Sequence, residues 1–419
     1  MALNYVWILF FVIGLVIALF KLIVFQDYEI FKKLVEGIFD ASKSSVMDIG
    51  LPLIGVMTFF MGLMNIGEKA GAINFLARIL NPFMKRLFPE VPEKHPAMGQ
   101  MVMNFSANLL GLDNAATPFG LKAMESLQTL NPNKESASNA QIMFLVLHTS
   151  GLTLIPLSII AYRASGGSTN PTSVFVPLML ATTIATIASI LITAMYQKLK
   201  FDKVLVFWLA GIITAIFLFA SFIYSLPSQK SFATPVLLTK ETFSNVLGNL
   251  ILFIIIASFI IVGFIKKINV FDAFIDGAKQ GFETIIKIIP YLVGMLVAIR
   301  VFRDSGALDA IIQGITWTFV QLGITGEFVP ALPVAIMRPF SGGGARGLML
   351  DIFKTHGADS FIGQLASTFQ GSADTTFYII ALYFGSVGIK KVRYAIWAGV
   401  LADIIGVICA IFIAYIFFK

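Results

Sequence analysis

The sequence predicts an all-α polytopic membrane protein with two inverted-topology repeats, re-entrant hairpins and broken helices. Three observations lead to this fold class. Hydrophobic types make up 57% of the 419 residues and charged types only 13%, too few charges to cover a water-exposed surface. Uncharged runs of about 20 residues, the length of a membrane-spanning helix, recur along the chain. The order of these runs, and of the polar residues that interrupt them, occurs twice.

Nine uncharged or nearly uncharged runs are predicted to span the bilayer. They cover residues 1–20, 49–67, 139–162, 164–197, 204–229, 242–265, 288–299, 361–389 and 394–418. The run 288–299 is short, but Lys287 and Arg300, which bracket it, have side chains long enough to reach the membrane interfaces. Two amphipathic pieces, 28–47 and 71–87, are predicted to lie along the interface.

Charge and cysteine usage exclude several classes of protein. The net charge of +7 comes from basic residues between the apolar runs, where they set orientation in the membrane rather than bind nucleic acid. A soluble enzyme and a disordered tail are also excluded. The single cysteine, Cys409, and three scattered histidines provide neither a disulfide nor metal-ligand spacing. We therefore expect no enzyme activity and no resident metal or cofactor, with Na⁺ or H⁺ open as a coupling ion.

The internal repeat divides the chain into two halves. Residues 1–200 form the first half, 244–419 the second, and 201–243 a linker with an extra transmembrane helix. Because each half crosses the membrane an even number of times, one added crossing turns the second half upside down. The basic residues of the loops favour a cytoplasmic N-terminus. Inverted repeats with broken helices are a common architecture of secondary transporters.

A Gly/Asn-rich segment occurs at the same place in each half. The first, 98–116, contains Asn104, Asn108 and Asn114. One interpretation is a pair of short helices in which Asn114 caps a helix that starts near Ala115. The other is a re-entrant hairpin whose tip presents amides and backbone groups to a solute, since irregular backbone at membrane depth must line a cavity or be buried in protein.

The matching segment of the second half, 333–347, contains Arg338, Ser341 and three glycines at 342–344. Successive glycines can turn their N–H groups toward an anion, and arginines flank them. The alternative is a tight turn in which Arg338 caps carbonyl groups. The spacing of a nucleotide-binding P-loop is missing.

Two long spans are interrupted by polar residues. The candidate solute-binding residues at these breaks are Thr149, Ser150 and Thr153 in the first half, and Gln370, Ser372, Asp374 and Thr375 in the second. Ser and Thr in such helices often bond only to their own backbone. Asp374 differs, because a carboxyl group at that depth costs about 2.5–3.5 kcal/mol and needs a partner, a proton or a cavity.

Short motifs in both halves carry a family resemblance. In the first half they lie at residues 87–92, 95–97, 114–118 and 152–156, and in the second at 289–293, 337–339, 359–363, 375–378 and 383–385. The first set resembles spore maturation protein A and the second set spore maturation protein B, members of the nucleoside-recognition or Gate domain group. The chain thus resembles a fusion of two proteins that are usually separate. It departs from the family pattern at Asp113, His148, Asp374, Arg346 and Arg300.

The resemblance implies a bacterial cytoplasmic-membrane protein connected with spore maturation. Together with the repeat, it predicts a transporter of a small polar solute, nucleoside-like or an organic anion, bound at the membrane midplane between the two halves. The alternative is a non-transporting membrane scaffold or regulator of envelope or spore maturation. The expected partners are a small solute and the lipid bilayer, with no nucleic acid; a homo-oligomer stays open.

Overall fold

The computed structural model describes residues 2–199, 202–226 and 240–419, and helices form its framework. The first helices in chain order are α1 (Ala2–Val24), α2 (Ile30–Ser44), α3 (Leu51–Lys69), α4 (Ala72–Leu87), α5 (Pro96–Leu109), α6 (Asp113–Leu130), α7 (Asn139–Thr149), α8 (Leu157–Ser165) and α9 (Phe175–Gln197). They are followed by α10 (Lys203–Ser225), α11 (Lys240–Ile265), α12 (Val270–Asp304), α13 (Ala307–Gln321), α14 (Leu332–Met337), α15 (Gly342–His356), α16 (Phe361–Gly371), α17 (Thr376–Ser386) and α18 (Ala395–Phe418).

Within the described residues, seven helical stretches are long and apolar enough to cross a membrane. They coincide with seven of the nine predicted spans. The other two, 139–162 and 361–389, are each interrupted, by residues 150–156 and 372–375. The all-helical, multi-pass membrane class predicted from composition is therefore confirmed.

Two predicted boundaries are wrong. The amphipathic piece 28–47 does not end before the next span: a π-helical segment, Ser45–Gly50, joins α2 to α3 in one continuous helical stretch. The π turn precedes Pro52, which lacks the N–H that an α-helix would use there. The span predicted to start at residue 164 begins only at Pro171, because the preceding Gly-Gly-Ser-Thr-Asn stretch favours a loop.

The order of helices occurs twice, as the sequence repeat predicts. The continuous stretch α2–α3 corresponds to α12, α4 to α13, and the hairpin α5–α6 to the hairpin α14–α15. The broken pair α7–α8 corresponds to α16–α17, and α9 to α18. Helix α10, from the linker, has no counterpart in this order.

The chain forms two compact units, and each takes segments from both sequence halves. Unit 1 contains Met1–Gly62, Ala161–Pro171 and Ile275–Gln370. Close approaches between helices shape it. A Cβ on Gly37 of α2 would lie 2.5 Å from the Asp304 carboxylate, which pairs with Arg300 at 2.7 Å. Arg303 of α12 makes an ion pair with the buried Asp351 of α15.

Unit 2 contains Leu63–Ile160, Thr172–Phe274 and Gly371–Lys419. Its core is formed largely by α5, α6, α7 and α17, with buried side chains that include Met101, Phe105, Met143, Phe144 and Phe384. The corresponding helices α9 and α18 pack together in antiparallel directions. Tyr196 near the end of α9 stacks on Tyr394 before the start of α18 at 4.8 Å, while Phe418 at the end of α18 packs near Leu178.

Several loops of unit 2 are hydrogen-bonded to one another and therefore share one face. The loop before α7 pairs with the loop after α17 through a bridge between Ser136 and Lys391. Arg86, at the end of α4, binds Asp202 before α10 at 2.6 Å. The Gln197 side chain of α9 donates to the carbonyl of Asn139 at 2.8 Å. All these loops carry the basic residues that the charge pattern predicts to be cytoplasmic.

Candidate functional site

The two helix breaks touch each other inside unit 2. The N–H of Asp374, in the second break, donates to the carbonyl of Thr149, the last residue of α7, at 2.9 Å. Gly151 in the first break has φ +64°, and a Cβ there would lie 3.0 Å from the backbone of Ala373. A left-handed residue without a side chain is what lets the two unwound segments approach so closely.

The tip of the hairpin α5–α6 joins the same place. The N–H of Leu154 donates to the carbonyl of Leu109 at 2.8 Å, and a Cβ on Gly111 would lie 2.8 Å from the carbonyl of Ile155. Gly111 has φ +69°, so the sharp turn also requires glycine. Three segments that the sequence singles out, one hairpin tip and both breaks, are therefore in contact.

Two asparagines of α5 face a histidine of α7. His148 is only 3% exposed, and its Nδ1 lies 2.8 Å from Nδ2 of Asn108 and 3.1 Å from Oδ1 of Asn104. Asn104 Nδ2 donates to the carbonyl of Ala116 at 2.7 Å, which fixes that amide. A capping box between Ser138 and its third neighbour starts α7 and so helps to set the position of the ring.

Asp374 has a partner, as a carboxyl group at this depth requires. Its Oδ2 lies 3.6 Å from Nε2 of His148, and its Oδ1 accepts a hydrogen bond from the N–H of Thr375 at 2.6 Å. The Asp374 side chain is 37% exposed, whereas the histidine beside it is buried. The carboxylate thus connects the buried polar cluster with the protein surface.

The hydroxyl groups of the first break bond mainly to nearby backbone. Thr149 donates to the carbonyl of Val146, and Thr153 to that of Gly151. Ser150 lies 2.9 Å from the Thr186 hydroxyl, and it also bonds to its own helix. Ser372 and Thr375 of the second break are buried. These contacts favour the backbone-satisfying interpretation for Thr149 and Thr153.

Three other candidate residues belong to unit 1. Ser341 caps α15, its Oγ accepting from the N–H of Gly344 at 3.0 Å, so the three glycines form a helix start rather than a tight turn. The Gln370 side chain donates to the carbonyl of Gly342 at 3.3 Å. Arg338 is half-buried in the turn before Ser341.

The prediction that Asn114 caps a helix starting near Ala115 is wrong, because α6 starts at Asp113. Pro118 lies inside α6. The side chains of residues 113–115 lie outside the described part of the chain, and with them the Asn114 side chain proposed to bind a solute.

Two residues of this cluster, His148 and Tyr383, are not among the predicted solute-binding residues. In the sequence, His148 stands out only as a departure from a family pattern, although a histidine at the tenth position of a mostly apolar helix is a usable signal. The Tyr383 hydroxyl lies 3.4 Å from both ring nitrogens of His148. Tyr383 belongs to the motif 383–385, which resembles spore maturation protein B, but nothing in that motif indicates contact with His148. It enters the cluster only because α17 packs against α7.

This site belongs to an all-helical, multi-pass membrane protein whose two half-chains repeat one order of helices. The Gate family model, described as nucleoside recognition, matches residues 51–169 and 285–390, more than half of the chain. The chain therefore belongs to the Gate family. The two matched segments contain both hairpins and both helix breaks, which is consistent with a duplicated architecture.

Two relatives from Bacillus subtilis (strain 168) each match a different share of the chain. Spore maturation protein B is 50% identical over 165 residues, which are 39% of this chain and 91% of that protein. Spore maturation protein A is 41% identical over 189 residues, which are 45% of this chain and 92% of that protein. The chain is thus similar to a fusion of the two.

Proposed function

We propose that the chain transports a small polar solute, nucleoside-like or an organic anion, which binds where the two helix breaks cross. The observation that carries this proposal is the contact of Asp374 with Thr149 beside the buried Asn104 and His148 and the half-buried Asn108. Unwound helix segments are where transporters of the inverted-repeat class bind their solutes. Amide donors and acceptors together with one partly exposed carboxylate suit a neutral or weakly charged polar molecule.

The proposal includes two halves of opposite orientation, with the N-terminus cytoplasmic in a bacterial inner membrane. The antiparallel packing of α9 against α18 supports it, because corresponding helices of an inverted repeat run in opposite directions across the membrane.

The names of the two relatives connect this transport with spore maturation. The second candidate function, a membrane scaffold for envelope maturation, would use the same fold without moving a solute.

Binding can be tested on purified protein by thermal unfolding with nucleosides, nucleobases and organic acids. A solute at about 100 times its Kd should add about 2.7 kcal/mol of stability to the wild type. Asp374→Asn should abolish that stabilisation, because the carboxylate is the exposed polar group of the cluster. Asp272→Asn, an exposed carboxylate near the start of α12, is the matched control and should keep it.

The same solute should cross the bilayer of reconstituted vesicles, and it should not do so with Asp374→Asn. A solute that stabilises wild type and Asp374→Asn equally would contradict the site. A folded protein that neither binds nor moves any of these solutes would favour the scaffold.

The inverted orientation makes a separate prediction at equivalent loops of the two halves. On a Cys409→Ala background, single cysteines can be introduced at equivalent places. Asn133→Cys lies in the loop before α7, and His356→Cys lies at the end of α15, before α16. An impermeant maleimide should label His356→Cys in intact cells, and Asn133→Cys only after permeabilisation. Lys391→Cys should behave as Asn133→Cys does, since their loops are bridged. Labelling of Asn133→Cys and His356→Cys from one side would end the inverted-repeat proposal.

A further inference from the structure

One nitrogen of the His148 ring faces a hydrogen-bond donor and an acceptor at the same time. Nδ1 lies 2.8 Å from the amide nitrogen of Asn108 and 3.1 Å from the amide oxygen of Asn104. A ring nitrogen without a proton accepts a hydrogen bond, and one with a proton donates. Nδ1 can therefore bond to only one of these two groups in a given protonation state.

The two asparagines differ in whether their side-chain amides can rotate. Asn104 is fully buried and its amide nitrogen is held by the carbonyl of Ala116, so its oxygen must point at the ring in either state. Asn108 is half-buried, next to the first break. Rotation of its amide by half a turn exchanges the nitrogen and oxygen positions with almost no change in shape.

The other ring nitrogen decides where an added proton goes. Nε2 faces the Asp374 carboxylate at 3.6 Å, and an ionised carboxylate only accepts hydrogen bonds. The neutral ring therefore carries its proton on Nε2, and Nδ1 accepts from Asn108. A second proton must go to Nδ1, which then donates to the Asn104 oxygen and no longer accepts from Asn108.

The charged and titratable groups around the ring are few among the described residues. Asp374 comes from the second break, Tyr383 from α17, and Asp403 from α18, where it accepts a hydrogen bond from Thr376. Helix α5 has no ionisable side chain, α9 has only Tyr196 near its end, and α6 has Lys122 and Glu125 in its second half. The Asp113 side chain lies outside the described part. The Asp374 carboxylate lies within ion-pair distance of the ring, at 3.6 Å from Nε2.

We propose that the His148–Asp374 pair binds a proton, and that protonation of Nδ1 reverses the hydrogen-bonding edge that Asn108 presents to a solute. With a neutral ring, the Asn108 amide nitrogen donates a hydrogen bond to His148, and the amide oxygen is left to accept one from a solute. With a protonated ring, the amide turns and offers its nitrogen as a donor. The pair thereby couples the proton to solute choice, an assignment that rests on the proposed transport function.

The test needs no solute. In the full chain in lipid nanodiscs, ¹⁵N-labelled histidine in a His95→Asn, His356→Gln background reports on His148 alone. We expect its Nδ1 signal to convert from the unprotonated to the protonated form as the pH is lowered. The side-chain amide of Asn108, assigned by its loss in Asn108→Leu, should change at the same pH. Asp374→Asn should lower the pH of half-conversion, because the ring loses the charge of the neighbouring carboxylate.

These measurements test the proton switch independently of whether the protein transports a solute. A ring that keeps one form at every pH at which the protein stays folded overturns the switch. An Asn108 amide signal that does not change when the ring converts also overturns it, and both results are read on the wild-type side chains. If the pH of half-conversion is the same in Asp374→Asn as in the wild type, the carboxylate is not part of the proton site. If a solute still stabilises the protein when the switch is overturned, the transport proposal is unaffected. If the ring converts as expected but no solute is found, the proton site is supported and the transport proposal is not.

Discussion

Replacement of Arg163 by methionine is expected to destabilise the protein by about 3–5 kcal/mol, the usual cost of breaking a buried charge pair. The Arg163 side chain in unit 1 is fully buried. Its guanidinium donates to the carbonyl of Ala358 at 2.7 Å and to that of Pro171 at 3.1 Å, and it pairs with Asp359 at 2.8 Å. Methionine fills a similar volume but leaves these acceptors without their donor.

The measurement is thermal or denaturant unfolding of the purified protein. Arg78→Met, on the exposed side of α4, is the matched control and should change stability little. An Arg163→Met protein as stable as that control would show that the buried guanidinium is not what holds the loop 166–171 to residues 357–359.

The same contact makes stability depend on acid. Burial alone raises the pKa of Asp359, but hydrogen bonds from Ser168 and Thr169 and the charge of Arg163 outweigh it and hold the pKa below its ordinary value. A carboxyl group with a lowered pKa stabilises the folded state above its unfolded pKa of about 3.9. That contribution is lost as the pH falls through the folded value. Arg163→Met should therefore flatten the decline of stability in acid.

Gly151→Ala is expected to cost about 2–4 kcal/mol, from left-handed backbone strain and from a crowded contact. The backbone at Gly151 has φ +64°, and the new methyl group would press on the backbone of Ala373 and Asp374 at 3.0–3.2 Å. Backbone atoms of the second break, residues 372–375, cannot move aside as the end of a flexible side chain would. The substitution should also weaken solute binding, because it pushes the two breaks apart.

Gly167 provides the control for strain alone. Its φ of +82° is equally left-handed, but a Cβ there meets no atom within 4 Å. Gly167→Ala should cost only about 1–2 kcal/mol, the strain of the left-handed conformation. Equal unfolding midpoints for the two variants would show that the contact between the helix breaks contributes nothing to stability.

Much of the helical framework could be predicted from local sequence. The seven uninterrupted spans follow from the length of apolar runs, and the amphipathic helix α4 from its periodicity. The breaks also have local causes, since Gly151 and the polar residues 372–375 interrupt apolar runs. Boundaries failed where one element continues into the next, as at Ser45–Gly50, because no residue there ends a helix outright.

The site was only half predictable, for a different reason. Asp374 and the two α5 asparagines are unusual in apolar segments, so their chemistry alone marks them. His148 and Tyr383 become significant through contacts 40 and 235 residues apart in the chain, with Asn108 and with each other. Arg163 lies between the predicted spans 139–162 and 164–197, where the sequence indicates a loop, yet it is the largest fully buried side chain among the described residues.

By itself, the sequence determined that this is a membrane protein of many helices in two repeated halves, because apolar run length and element order are properties of the chain alone. Only the tertiary structure decided that each compact unit takes helices from both halves, and that His148 is the partner of Asp374. Such pairings depend on which distant helices pack together to satisfy buried polar groups, and no local pattern contains that information.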